Sequence, residues 1–275
     1  MLKKLLRYDM RAMFRYWWIA ALSCVVFACA GGGCLSILLS DRDYPFFVTS
    51  MAGMGVALPI FGMSAFAILS SILVFIRFYR NFFTDEGYLT FTLPVGRHQL
   101  LNSKLISGTS MLAATIAVLF PSILLMLAIG FGPYVFTPEF FREIGEALAA
   151  MWETVGAWSI LYAAELILLG LLTCLFGVLS MSVCITLASL LVKKAKVIVA
   201  IAIYYGASSI LSFVMQLLQL FGLPALVDLL AGTPEAAAPG IMALLLLGGI
   251  CFVAIFCGLL YLFQYRMLDR KLNLA

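Results

Sequence analysis

Long uninterrupted apolar runs dominate this chain. Six of them reach the roughly 20 residues that a helix needs to cross the hydrocarbon core of a bilayer. A transmembrane β-barrel would instead show alternating segments of about ten residues. The pattern therefore predicts an all-α membrane protein, because a chain in lipid must satisfy its backbone polar groups internally. We place the six predicted transmembrane helices at 17–39, 51–76, 105–131, 155–192, 197–221 and 240–263.

Composition supports this fold class. Of the 275 residues, 64% are hydrophobic and only 11% are charged. So few charges cannot cover the surface of a soluble protein of this size. All seven cysteines lie inside apolar runs without a C-x-x-C pair. That arrangement suggests neither a metal site nor a disulfide framework, and we expect the cysteines to serve as small apolar residues at helix contacts.

The charged residues sort by position along the chain. Every basic residue except Arg42 and Arg142 falls in one alternating set of connecting segments, which includes both termini. The positive-inside rule therefore predicts a multi-pass protein of the cell membrane with both termini cytoplasmic. This partition also removes the nucleic-acid partner that a net charge of +4 would by itself suggest. The opposite set of segments holds most of the carboxylates, namely Asp41, Asp43, Glu139, Glu143, Glu146, Glu153, Asp228 and Glu235.

The first sixteen residues have a polarity of their own. Basic residues gather on one helical face and apolar residues on the other. We predict an amphipathic connecting helix over 1–16 that lies along membrane lipid, followed by a six-helix transmembrane domain over 17–275. A plain juxtamembrane anchor is the alternative. The basic face is formed by Lys3, Lys4, Arg7, Arg11 and Arg15.

The segment 77–104, between the second and third spans, mixes aromatic side chains with charges. It is too short to fold alone, and exposed aromatics among charges favour docking to another protein. Pro94 can open a new helix, since its missing N–H costs nothing in a first turn. The one histidine, His98, is expected to be a solvated loop residue.

A family resemblance appears here, carried by Glu86-Gly87, Leu93-Pro94-Val95, Arg97 and Lys104. With the overall plan of spans, this pattern resembles the ABC-2 permeases, the membrane subunits of type V ABC exporters. The resemblance implies a coupling helix within 82–93 that docks on an ABC ATP-binding subunit. The implied coupling residues are Phe82, Phe83, Asp85, Glu86, Gly87, Tyr88, Leu89, Pro94, Arg97 and Lys104.

The same resemblance implies a second permease copy or homologue. The sequence has no G-x-x-x-x-G-K-[ST] loop, so ATP and Mg²⁺ are expected in the partner chain and no cofactor in this one. Larger members of the family carry outer helices before the last span. Here we expect a simple loop or re-entrant hairpin over 222–239, and a longer acidic outer segment over 132–154 that is helical from Pro138.

Two polar features interrupt the spans and are candidates for a translocation path. Glu165 lies inside the fourth span, where a carboxylate must face protein or a wet cavity. The fifth span carries a polar stripe at spacings of 4, 3, 4 and 3. Path lining and interhelical hydrogen bonding stay open for both features. For Glu165 the path role includes a proton relay, and a third alternative is that the fourth span protrudes and places Glu165 near the outer interface. The stripe consists of Tyr205, Ser209, Ser212, Gln216 and Gln219.

These features favour a permease subunit of an ATP-driven ABC exporter that translocates a peptide, lipid or drug. No H-E-x-x-H or G-x-S-x-G motif occurs, so we do not expect an enzyme. Two alternatives remain: a sensor or immunity subunit that binds antimicrobial peptides, and an intramembrane enzyme that uses Glu165.

Overall fold

The computed structural model describes residues 2–40, 44–83, 96–132, 137–156, 158–192, 195–231 and 238–270. Across these residues the secondary structure is helical, without a strand. Six helices are long and apolar enough to cross a membrane, which supports a multi-pass membrane protein. The helices are α1 Leu2–Leu39, α2 Phe46–Phe83, α3 Arg97–Gly130, α4 Pro138–Val155, α5 Trp158–Leu191, α6 Lys196–Ala231 and α7 Ala238–Arg270.

Helix α1 joins the basic amphipathic segment to the first span without a break. The boundary predicted at residue 16 is therefore a change in side-chain polarity and not an end of a helix. The sequence offers no reason to stop, because neither glycine nor proline occurs between residue 2 and Gly31. One face of α1 is buried at helical spacing through both parts, at Asp9, Met13, Trp17, Ala21, Cys24 and Ala28.

The first compact unit contains residues Met1–Ile76 and Ile106–Thr154. In it, glycines of α1 allow close helix packing, as small residues do in membrane proteins. A Cβ built on Gly31 would lie 2.9 Å from the Cβ of Pro59, and one on Gly32 would lie 2.7 Å from the Cβ of Ile129. α1 thus approaches both α2 and α3 closely. The indole N–H of Trp17 also donates a hydrogen bond of 3.1 Å to Thr115 Oγ1 on α3.

The second compact unit contains Arg77–Leu105 and Val155–Ala275. In it α5 packs against both α6 and α7. Three bonds between α5 and α7 follow the same order along both helices, so α5 and α7 run parallel. The Tyr162 hydroxyl donates to Pro239 O at 2.6 Å, Cys257 Sγ contacts Leu172 O at 3.7 Å, and Gln264 Nε2 donates to Thr186 Oγ1 at 2.8 Å.

Two connections between spans test the sequence-based expectations. The acidic segment after the third span is helical from Pro138, as predicted. The expected loop or hairpin over 222–239 is wrong in its first half, because α6 continues to Ala231. Gly222 and Pro224 do not end this helix, since membrane helices tolerate both residue types when neighbouring groups satisfy the freed backbone.

Candidate functional site

Both ends of the predicted coupling segment lie in the second compact unit, together with α5, α6 and α7. Phe83 is the last residue of α2, and Arg97 is the first residue of α3. The structure therefore describes where the segment leaves one helix and enters the next. Six of the predicted coupling residues lie outside the described residues, namely Asp85, Glu86, Gly87, Tyr88, Leu89 and Pro94.

Phe82 differs from the exposed docking residue that the sequence suggested. Its side chain is 0% exposed, and its ring packs in a tilted arrangement against Phe78 one turn earlier, with centroids 4.7 Å apart. Lys104, at the other end of the segment, is also buried. Such aromatic burial anchors the end of α2 within this chain. Phe82 and Lys104 are therefore packed within this chain and are not the exposed docking residues that the sequence suggested.

His98 lies in the first turn of α3 and is not a loop residue. Its Nδ1 lies 3.0 Å from the Tyr261 hydroxyl, and its ring stacks on Tyr265 with centroids 3.9 Å apart. The Tyr261 hydroxyl donates its one hydrogen to Asn102 Oδ1 at 2.9 Å. With that hydrogen on Asn102, the Tyr261 oxygen can accept a hydrogen bond from His98 Nδ1. The cluster ties two turns of α3 to α7.

This cluster was missed by sequence reasoning, although a signal was present. His98 and Asn102 are four residues apart, and so are Tyr261 and Tyr265. Each pair therefore lies on one face of its helix. Nothing in a single sequence indicates that these two faces meet, because 163 residues separate His98 from Tyr261.

A buried hydrogen bond continues the connection from α7 to α5. The side chain of Gln264 is fully buried and donates from Nε2 to Thr186 Oγ1 at 2.8 Å. Thr186 in turn donates to the backbone oxygen of Ser182 on its own helix. The start of α3, the end of α7 and the end of α5 are thereby joined by directional polar contacts, which fix helix register more narrowly than apolar contacts alone.

Glu165 lies seven residues after the first residue of α5, about 10 Å along the helix axis. Its side chain is 7% exposed, and Oε2 has no hydrogen-bond partner. Tyr162, one turn earlier, donates instead to a backbone oxygen of α7. The structure thus buries Glu165 as predicted but gives Oε2 no interhelical hydrogen bond. A buried polar atom without a hydrogen-bond partner is energetically unfavourable unless another group forms a hydrogen bond with it.

The polar stripe of α6 lies on an exposed face of the chain. Tyr205, Ser209, Ser212 and Gln216 are all exposed, while Gln219 is placed on the helix without a described side chain. Polar side chains at the middle of a membrane helix normally face protein or water. This face of α6 is therefore a surface that lipid alone does not satisfy.

The part of the chain that the structure describes holds no group of three or more His, Cys, Asp or Glu side chains that could bind a metal ion. Comparisons with protein-family models, with curated proteins and with solved structures find no match to this chain.

Proposed function

We propose that this chain is the membrane-spanning permease subunit of an ATP-driven ABC exporter, of the ABC-2 family. A separate ATP-binding subunit, which holds ATP and Mg²⁺, would dock on the segment 77–104. The observation that carries the proposal is the inclusion of both ends of this segment in one compact unit with α5, α6 and α7. A force on the segment is then applied to a packed body.

The contacts at the two ends explain how such a force would travel. At the end of α2, the buried ring of Phe82 resists displacement relative to its surroundings. At the start of α3, His98 and Asn102 bind the hydroxyl of Tyr261 on α7. Packed cores and hydrogen-bonded helices move as units and not as continuously deformable material. Docking would therefore move α3 and α7 together.

The exposed stripe of α6 supports a path next to a second permease copy or homologue. Tyr205, Ser209 and Gln216 would line a wet surface or meet the second copy. This mildly polar lining suits an amphipathic peptide, lipid or drug. Glu165 is the candidate carboxylate of this path. A substrate would reach it when the helix bundle rearranges.

The sorting of basic residues sets the proposed orientation. Both termini and the segment 77–104 would be cytoplasmic, where ATP is available, and the chain would lie in the cell membrane. In this orientation the loop between the second and third spans is the long basic segment that an ATP-binding subunit can reach.

The proposal is tested by reconstituting the full chain in vesicles with candidate ATP-binding subunits. Co-purification and the rate of ATP hydrolysis are measured. Glu86→Arg should abolish co-purification, because it reverses a charge in the docking segment. Glu143→Arg on the exposed face of α4 is the matched control and should change nothing. If no candidate subunit binds, or if Glu86→Arg binds as well as the native chain, the proposal fails.

A second variant separates docking from transmission. Tyr261→Phe removes the hydroxyl that joins His98 to Asn102 but leaves the docking segment untouched. It should retain co-purification and lose several-fold in the response of ATP hydrolysis to the permease. An unchanged response would show that this cluster transmits nothing.

A further inference from the structure

Helix α4 carries an exposed apolar stripe. Ile144, Leu148 and Trp152 follow each other at intervals of four residues and are 39%, 59% and 58% exposed. Residues at this spacing lie on one face of a helix. The charged side chains of α4 occupy the opposite face, at Glu139, Arg142, Glu143, Glu146 and Glu153.

The ends of α4 are determined by local sequence. Thr137 caps the start, because its Oγ1 accepts the Phe140 N–H at 3.3 Å, and Pro138 takes the first helical position. Glu139 adds a negative charge to the first turn, which the helix dipole favours. Gly156, with φ of 50°, follows the last residue in the left-handed conformation that ends helices. α4 is thus a helix with defined ends and not a helical turn within a loop.

Connectivity holds α4 at the level of a membrane surface. Two residues separate Val155 from the start of α5, and seven separate Gly130 from Pro138. Both α3 and α5 are long apolar helices of spanning length. Because α4 connects the end of one helix of spanning length to the start of another, it lies at a membrane face. Its exposed apolar stripe is therefore held beside the edge of the hydrocarbon layer.

We propose that α4 lies flat in the lipid interface of this membrane face. Ile144, Leu148 and Trp152 insert between head groups and acyl chains, and the carboxylates face water. Two observations favour lipid as the occupant: the segregation of charge to the opposite face and the short connections to two spans. The exposed apolar stripe also ends on a tryptophan, Trp152, a residue type that is enriched at membrane interfaces.

The charge of α4 makes the interaction unusual. Surface-bound helices commonly use lysine and arginine on the polar face to attract anionic lipid. In α4 four glutamates accompany one arginine, and that Arg142 is paired with Glu146 at 3.6 Å. Apolar contact alone must therefore hold the helix in place, and anionic lipid should weaken its insertion.

The test uses spin labels on the full-length chain in phosphatidylcholine vesicles, in a background whose seven cysteines are replaced by alanine or serine. Leu148→Cys reports the apolar face, and Glu146→Cys is the matched control on the polar face. A label at 148 should be accessible to dissolved oxygen and protected from a water-soluble nickel complex. A label at 146 should be accessible to the nickel complex and less accessible to oxygen than the label at 148. Protection from both reagents at 148 would indicate a second copy or another protein. Access to nickel at 148 would indicate water. Either result overturns the proposal.

If the cysteine-free protein does not fold, a second measurement tests the proposal on the chain with its native cysteines. Brominated phosphatidylcholine quenches tryptophan emission at the acyl boundary. Other exposed tryptophans, Trp18 and Trp158, lie in candidate spans and are open to the same quencher. Trp152→Phe should therefore lower, without abolishing, the amount of emission that the brominated lipid quenches. Equal quenched emission in both proteins would contradict insertion of Trp152. Replacing half of the lipid by phosphatidylglycerol at a constant fraction of brominated lipid should reduce quenching, and an increase would refute the role given to the acidic face. Neither measurement depends on transport.

Discussion

The glycine run Gly31-Gly32-Gly33 of α1 gives the sharpest prediction about packing. We consider two substitutions at neighbouring positions, Gly32→Ala and Gly33→Ala. A Cβ at Gly32 would lie 2.7 Å from Ile129 Cβ and 2.8 Å from the carbonyl oxygen of Met126, whereas a Cβ at Gly33 meets nothing within 4 Å. The two variants therefore make the same chemical change in different surroundings.

The magnitude follows from these distances. Carbon atoms in good contact are about 3.5–4.0 Å apart, so α1 and α3 would have to separate by about 1 Å to admit the methyl group at 32. Overpacking of this kind costs about 1–3 kcal/mol. Replacement of glycine by alanine within a helix gains about 1 kcal/mol at either site. Because that gain cancels between the variants, Gly32→Ala should be less stable than Gly33→Ala by about 1–3 kcal/mol.

The two proteins are purified in the same detergent, and their unfolding free energies are compared by denaturant titration. Thermal midpoints from size-exclusion profiles provide a second measure. Gly33→Ala should match or exceed the native chain. If Gly32→Ala is as stable as Gly33→Ala, the close approach of α1 to α3 is wrong, and with it the packing described for the first compact unit.

Three further predictions concern buried polar groups. Glu165→Gln should leave the thermal midpoint unchanged or raise it, because Oε2 has no partner to lose; a large drop would reveal a bond that forms in the membrane. Gln264→Leu should change the unfolding free energy by less than about 1 kcal/mol, since Thr186 keeps a bond within its own helix, whereas Gln264→Ala should cost about 2 kcal/mol or more by leaving a cavity. Trp17→Phe should lose about 1 kcal/mol through the bond to Thr115, in addition to the packing that the smaller ring gives up, and the hydrogen-bond part alone should vanish in a Thr115→Val background.

Much of the fold could be predicted because its determinants are local. Span length follows from apolar length, and the start of α4 follows from Thr137 and Pro138. The continuation of α6 past Gly222 and Pro224 could not be predicted in this way. In water these residues usually end a helix, but in a membrane the surroundings can satisfy the freed backbone groups.

The same distinction between local and non-local determinants applies to the candidate site. Glu165 and the stripe of α6 could be found because polar residues in apolar helices stand out in a sequence. The burial of Phe82 and the bonds of His98 could not, because they depend on which helix packs beside α2 and α3. Partner choice between distant helices is a property of the folded chain and not of any short pattern.

The parallel pairing of α5 with α7 also sets an order of events during synthesis. Parallel helices cannot be neighbours in the chain, so α5 must enter the membrane and wait for α6 to cross before α7 arrives. During that interval Thr186 lacks the amide of Gln264, and Tyr162 lacks the backbone oxygen of Pro239. Arrival of α7 is thus the step that completes the second compact unit. Nascent chains truncated within α7 would present the polar groups of α5 to lipid and to membrane quality control.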